Sequence, residues 1–481
     1  MVIKNFEDAK RLLAREKRPV VGVGVRAFER IMPGFFYPNF SIVALFETED
    51  LKRVRKFFPV LTIMKDFGGV LPPQINALHI LKNILVQDYI KSLEEPRLWV
   101  YRSTRGVEKI CQSLGVDILA SPACVRDPFE DKKEFRILGK EAGLKMIPGE
   151  NLRIDDLEEE KFKIFQKNYG PRLVFQLTDY DVGGGRGTFF VDSKDDFLRF
   201  KEFVIKRREK RELEFVNVCQ RIEGVAGSIS ACVTSYGVLC GLVQTQVIDQ
   251  PSLCNLEGRS GVWAGHDWSR RFPNQIQTKA EAIARKLGEF MARKGYRGVF
   301  GIDLAIDGSG EVWPVECNSR VTGAFPPYSM MQIESGEIPM EVFQVLEFLG
   351  IPYKIDFEAI QNSYRQKKKA VSHLVMHNLL RKWVRVGGEV KTGVYKVEKE
   401  KVGWVRDGFT IFDIKDGEHE LVLTNIEARE GSVVKPCFRI GRLLFKRQVT
   451  DKGGNLLPEI EEVVKRIYAE FQLTSIPKPV Y

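Results

Sequence analysis

Two hydrophobic rhythms divide the chain. From residue 1 to about 125, short β-rich runs alternate with helical patterns: PVVGVGV at 19–25, SIVALFE at 41–47, PVLTIM at 59–64 and RLWVYRS at 97–103, then VEKICQSLG and DILAS. The alternation predicts a small parallel α/β domain, because parallel strands need a crossover between them. Gly22 and Gly24 form a GxG after the first strand. Without a third glycine, or an acid well placed about 20 residues on, a tight strand-to-helix turn explains them at least as well as a dinucleotide site does.

Between about 126 and 350 the texture changes. DKKEFRILGKEAG (131–143) reads as a helix, LVFQL (173–177) and TFFV as strands flanking the glycine cluster VGGGRGT (182–188), and KEFVIKRREKREL as a second helix. FVNVCQRIEG and SISACVTSYGVLCGLVQTQVI carry the alternation and Tyr-Gly turn of antiparallel strands. QTKAEAIARKLGEFMARKG (277–295) places Ala282, Ile283, Leu287 and Phe290 on one helical face. After FLGIP the chain is again mostly strand-like and ends in the helical LPEIEEVVKRIYAEF. Three domains are expected, 1–125, 126–350 and 351–481, since single cores stop growing near roughly 250–300 residues.

Composition changes this picture little. Apolar residues at 44% and charged residues at 29% describe an ordinary globular protein. The net charge of +10 is spread among acids, and the densest basic run, KRREKR from Lys206, reads as the solvated side of a helix. Nucleic acid is therefore not an expected partner. Eight cysteines without a CxxC pair argue against a zinc ribbon and a disulfide framework, so most should be reduced and buried. The first residues are charged and no run of about 18 apolar residues occurs, so a cytoplasmic protein with no membrane partner is expected.

The chemistry gathers in GIDLAIDGSGEVWPVECNSRVTG, 301–323. DGSG supplies a hairpin turn. With Ile306 opposite Glu311, Asp303 falls opposite Pro314, and parity puts Asp303, Glu316, Asn318 and Arg320 on one face. Asp303 and Glu316 become diagonal neighbours, about 7 Å apart. Two carboxylates in one space lose hydration and repel unless one is protonated or a cation lies between them. An oxygen-only donor set suits Mg²⁺ or Mn²⁺ rather than zinc, and such an ion completes its shell with phosphate oxygens. Taken alone, the alternation fits a surface ion pair of Glu316 and Arg320 equally well. The glycine cluster offers backbone N–H groups that can converge on anions. It lies between two strands and lacks GxxxxGK[ST], so it is not a P-loop.

This combination resembles the ATP-grasp family, most specifically in the hairpin with its Asp followed by Glu-x-Asn-x-Arg. The resemblance implies a mixed α/β and α+β architecture: an ATP-grasp fold of two lobes over 126–350, an N-terminal parallel α/β pre-ATP-grasp domain and a C-terminal β-rich domain. By that likeness Asp303, Glu316 and Asn318 hold magnesium, with Glu316 bridging two ions, and Arg320 steadies the transferred phosphate or charged intermediate. Lys132, with Lys133 as the alternative, contacts ATP; Gly183, Gly184, Gly185 and Gly187 cradle phosphates; backbone groups of Gln220 and Ile222 read the adenine edge. Two positions depart from the family. Gln176 stands where a lysine is usual, and Cys219 lies near the place of the hinge acid. A neutral amide loses the charge-assisted part of a phosphate contact, so either Arg186 compensates or ATP binds more weakly.

Family members pass the γ-phosphate to a carboxylate, and an amine attacks the acylphosphate. No enzyme nucleophile is then required, in keeping with five histidines that suggest no triad. Biotin carboxylases share the strand and the trailing domain but continue into Gln-Val-Glu-His, whereas this chain reads RVTGAFPP and has no Met-Lys-Met segment. The resemblance thus implies a carboxylate–amine ligase using ATP and Mg²⁺ (or Mn²⁺) on small carboxylate and amine substrates, compatible with a homodimer. A biotin carboxylase-like enzyme, or a nucleotide-binding protein without turnover, is the alternative. Trp263 and His266 in SGVWAGHDWS are read either as substrate-site residues or as a packed loop.

Overall fold

The computed structural model describes residues 1–69, 74–178, 187–208, 213–256, 260–366, 370–399 and 401–479. Five parallel strands open the chain, in the spatial order Val60–Thr62, Phe40–Ala44, Val20–Gly24, Arg97–Val100 and Asp117–Ile118. Val20–Gly24 and Phe40–Ala44 are buried along their whole length, as strands covered on both faces must be. Gly22 and Gly24 lie inside the first of these strands, not in a turn, which corrects the sequence reading. A Cβ on Gly24 would stand 2.6 Å from the buried Arg30 guanidinium, so the glycine makes room for that side chain.

A four-stranded antiparallel sheet follows, ordered Gly149–Arg153, Phe215–Gln220, Leu173–Leu177 and Thr188–Val191. Helices Lys161–Tyr169 and Lys194–Arg208 seal one face through a cluster that includes Phe162, Phe165, Phe175, Phe197 and Phe200. Alternation along the strands turns Gln176 and Asn217 to the other face.

The largest sheet has ten strands, all paired antiparallel: Val312–Asn318, Gly298–Asp307, Gly224–Thr234, Gly237–Ile248, Trp263–Asp267, Ser372–His377, Arg439–Phe445, Glu420–Thr424, Gly393–Val397 and Val402–Arg406. Pairing of Trp263–Asp267 with Ser372–His377 carries this layer across residue 350. Helix Asn274–Arg293 buries Ala280, Ala284, Leu287 and Met291, an i, i+4, i+7, i+11 stripe. Ala282, expected on the inward face, is exposed and Ile283 only half-buried, because the stripe that meets the sheet is rotated away from them.

The two ends of the chain meet. Val2–Ile3 pairs in parallel with Lys354–Ile355, and Glu29 takes ion pairs from both Arg439 and Arg442. Six of the eight cysteines are buried. Among the described residues no helix is long and apolar enough to cross a membrane.

Candidate active site

The hairpin Gly298–Asp307/Val312–Asn318 forms one edge of the ten-stranded sheet. Its turn is closed by Asp307, whose Oδ1 accepts the backbone N–H groups of Ser309 and Glu311, each at 2.9 Å. The loop is longer than expected, and Ile306 pairs with Val312 rather than Glu311. That slip alone would send Glu316 to the opposite face. A bulge restores it: Leu304 pairs with Pro314, then Asp303 with Glu316, skipping Val315. Pro314, which has no N–H to give the ladder, sits where the bulge begins. Asp303 and Glu316 are therefore directly opposed, not diagonal, with Cβ atoms of such pairs about 4.5–5.5 Å apart.

Each carboxylate has its own partners. Lys132 Nζ lies 2.8 Å from Glu316 Oε2. Gln246 Nε2 donates to Asp303 Oδ1 at 2.6 Å, and Asn318 Nδ2 donates to Asp303 Oδ2 at 3.2 Å. Lost hydration and the facing Glu316 charge push the Asp303 carboxyl well above its usual range. Lost hydration also opposes charge on Glu316, but Lys132 outweighs it and holds this carboxyl below its usual range. The two carboxyls are thus pushed in opposite directions, Asp303 toward its neutral form and Glu316 toward its charged form, and a cation placed between them would favour the charged form of both. The donors are hard oxygens, as Mg²⁺ or Mn²⁺ requires. Asn318 turns its oxygen toward Arg320 NH2, at 2.8 Å. Asp303 and Glu316 could hold such an ion, and Asn318 could offer it an oxygen by an amide flip.

Arg320 is fixed from behind. Its Nε lies 2.9 Å from Glu130 Oε1, and its guanidinium carbon stands 4.9 Å from the Tyr101 ring centroid. Glu130 is held in turn by Arg126 NH1 at 2.7 Å. Burial opposes the Arg320 charge, but Glu130, with Tyr101 and Glu316, raises its pKa above the ordinary guanidinium range.

Tyr101, Gln246, Asp303, Glu316, Asn318 and Arg320 line one cleft of about 500 Å³ between the small sheet and the ten-stranded sheet, within the size range of small-molecule sites. Lys132 and Gln176 face it as well. Lys133 does not, its ammonium lying 4.3 Å from the Phe215 ring centroid. Gln176 is buried, its Oε1 accepting from Asn217 Nδ2 at 3.1 Å. Gly187 gives its carbonyl to the Leu177 N–H at 2.8 Å; Gly183, Gly184, Gly185 and Arg186 lie outside the described residues. Gln220 and Ile222 line the hinge end. The Gln220 N–H is committed to the Pro148 carbonyl at 2.9 Å, so it is not offered to the cleft.

Gln246, Glu130 and Tyr101 escaped the sequence reading. They arrive from strand Gly237–Ile248 beyond Gly224–Thr234, from the end of helix Ala123–Glu130 and from just past strand Arg97–Val100, and no short spacing ties them to the hairpin. Trp263 and His266 lie on a strand, not in a loop, and both line the cleft.

No protein-family model matches the chain. Over 144 residues it is 28% identical to the [butirosin acyl-carrier protein]–L-glutamate ligase of Niallia circulans, and the match spans 29% of this chain and 30% of that protein. Solved structures align over most of its length. They include a biotin carboxylase–β-γ-ATP complex from Campylobacter jejuni (TM-score 0.61, 13% identity, 96% of this chain and 93% of that one). The biotin carboxylase domain dimer of Hydrogenobacter thermophilus 2-oxoglutarate carboxylase, with MgADP, ADP and bicarbonate, aligns at TM-score 0.59 and 15% identity over 89% of this chain and 86% of that one. Carboxyaminoimidazole ribonucleotide synthase from Aspergillus clavatus, with ATP, aligns at TM-score 0.54 and 12% identity over 96% and 98%. The parallel sheet followed by antiparallel sheets, with the acidic hairpin on the edge of the ten-stranded one, has the ATP-grasp fold of these structures.

Proposed function

We propose that the chain is an ATP-dependent carboxylate–amine ligase. One observation carries this reading: Asp303 and Glu316 converge across the bulged hairpin at the cleft, with Lys132 and Arg320 on either side of them. Magnesium fits Asp303, Glu316 and Asn318, and when bound it neutralises charge on the β- and γ-phosphates. Lys132, 2.8 Å from Glu316, lies on the cleft and could turn its ammonium to a phosphate oxygen. Gln176 gives the phosphates a neutral N–H donor. The substrate carboxylate oxygen bonds to the γ-phosphorus as the bond to the bridging oxygen breaks and ADP leaves. Arg320, held by Glu130 and charged throughout, stabilises negative charge that develops in the transfer. Amine nitrogen then attacks the acyl carbon, phosphate departs and the amine loses a proton.

An amino acid is the substrate class this reading favours, in line with the L-glutamate named for the Niallia circulans relative. The extended likeness to biotin carboxylases favours a second reading, a carboxylase acting on bicarbonate. Against it, Thr322, Gly323 and Ala324, the cleft residues that follow Arg320, bring no carboxylate. Phosphate release from ATP and Mg²⁺ decides between them. Stimulation by an acid together with an amine supports ligation, and stimulation by bicarbonate alone supports carboxylation. Loss of either in Glu316→Gln ties it to the hairpin.

A further inference from the structure

The five-stranded parallel sheet has one switch point. From Val20–Gly24 it extends through Phe40–Ala44 and Val60–Thr62 on one side, and through Arg97–Val100 and Asp117–Ile118 on the other. In open parallel sheets a crevice forms outside the carboxyl ends of the two strands at such a point, and ligands bind there. Gly24 ends one of these strands and Tyr101 directly follows the other. Tyr101 is half-buried and lines the cleft, so this end of the sheet reaches the space that holds the acidic hairpin.

The ring of Tyr101 is held by cations. The guanidinium carbons of Arg30 and Arg320 stand 5.0 Å and 4.9 Å from its centroid, within the range of cation–π attraction. Arg30 is buried in the room that Gly24 leaves, its Nε donating to the Val23 carbonyl at 2.9 Å and its NH1 to the Glu29 carbonyl at 3.1 Å. The phenol is thus fixed from the first sheet and from the hairpin at once. Arg320 is also a hydrogen-bonding neighbour of the Tyr101 side chain. A guanidinium can only donate, so the phenol oxygen accepts from it and keeps its own O–H to give. Among the described residues no carbonyl or carboxylate takes that O–H, and the side chain faces the cleft.

Charge around the phenol is one-sided. The nearby carboxylates are already paired, Glu29 with Arg439 and Arg442, and Glu130 with Arg126 and Arg320. Arg30 makes no ion pair among the described residues, so the guanidiniums are in surplus. An O–H donor in a positive surround draws a carboxylate and repels an ammonium group. We infer that Tyr101 is a specificity-determining residue for the acid substrate, its O–H donating to one carboxylate oxygen beside Arg320. The second oxygen is left bare to bond to the γ-phosphorus, and no proton changes hands in the contact. The amine, charged before it reacts, is kept from this place. Naming the carboxylate as the phosphoryl acceptor rests on the ligase reading; the preference for a carboxylate over an ammonium at Tyr101 does not.

Tyr101→Phe keeps the ring against both guanidiniums and removes only the hydroxyl, so the variant should melt like the parent. Binding of ¹³C-labelled sodium acetate to the full-length protein with Mg²⁺ and ADP, read from broadening of the acetate carboxylate signal, needs no turnover. Saturable binding is expected for the parent and about tenfold weaker binding for Tyr101→Phe, with ADP affinity unchanged. Methylammonium chloride at equal ionic strength should not compete. Equal acetate affinity in the two proteins, no saturable acetate binding by the parent, or competition by methylammonium overturns the inference. So does an equal loss of ADP affinity, which would make Tyr101 a packing residue for Arg320. Phosphate release with an acid and an amine judges the ligase reading separately. Acetate binding that depends on Tyr101, without ligation, removes that reading alone; ligation whose KM for the acid is unchanged in Tyr101→Phe removes this one alone.

Discussion

Asp303 and Glu316 oppose each other directly, yet only one of them has a cation against it: Lys132 sits 2.8 Å from Glu316, while Asp303 is held by the amides of Gln246 and Asn318. Lost hydration and the facing Glu316 push Asp303 toward its neutral form, while Lys132 favours the charged form of Glu316. A divalent ion held by the two would favour the charged form of both and supply the charge that Lys132 now gives Glu316.

Glu316→Gln removes the carboxylate that both the ion and Lys132 use. ATP-dependent phosphate release is expected to fall at least about 100-fold. The fold should persist, because Lys132 keeps Asp303 nearby and Asp303 no longer faces a like charge. Circular dichroism and the melting temperature of the ligand-free protein check the second point. The rise in melting temperature on adding Mg²⁺ and ADP, expected for the parent chain, should vanish in the variant.

Gln246→Leu tests an indirect role. Its amide fixes the orientation of Asp303 from Gly237–Ile248, across the intervening strand Gly224–Thr234, and touches no phosphate in the proposed scheme. Losing an orienting hydrogen bond of this kind typically costs roughly 10–100-fold in metal affinity. The Mg²⁺ concentration that half-saturates phosphate release should rise by that factor, with maximal turnover recovered at high Mg²⁺. An unchanged Mg²⁺ requirement would show that Asp303 is oriented without it.

The hairpin was legible because its chemistry is local: Asp303, Glu316, Asn318 and Arg320 lie within one turn and two strands, where parity alone assigns a face. Its register was not, since the loop took in one extra residue at Asp307–Glu311 and the bulge at Val315 took in a second on the same strand. The two shifts add to two residues, one full period of the strand, and so leave the face correct. Glu130 and Gln246 were illegible for another reason, as each meets the site only through tertiary packing from elements more than fifty residues away in the chain. Gly22 and Gly24 looked like a turn because spacing cannot reveal an arginine folded over a strand.

Gln176→Lys restores the charge that the usual family pattern carries. The site can receive it, since Asn217 now donates to Gln176 and its own Oδ1 has no hydrogen-bond partner among the described residues. Turning the Asn217 amide over would offer that oxygen to the new ammonium. A charge-assisted contact to phosphate is roughly twice as strong as a neutral one, so KM for ATP should fall by about tenfold. A KM that rises, in a variant that melts like the parent, would mean Gln176 does not face the phosphates.

Glu341 provides a pH test remote from the cleft. Its carboxyl is fully buried at the start of helix Met340–Leu349, where the Ser329 hydroxyl donates to Oε2 at 2.6 Å. Burial pushes its pKa up to about 7, a rise that Ser329 and Arg30 only partly oppose. The folded protein therefore holds this proton more tightly than the unfolded chain, whose glutamates titrate near about 4.3. Its contribution to stability is fully present below that value, is lost as pH rises through about 7, and is then a constant penalty. Integrated over that window the loss is on the order of 3 kcal/mol. Glu341→Gln keeps the shape and removes the titration. Relative to the parent chain it should gain stability between pH 5 and pH 8.5 by about that amount in denaturant unfolding. A stability difference between the two proteins that does not change with pH would place the Glu341 proton elsewhere.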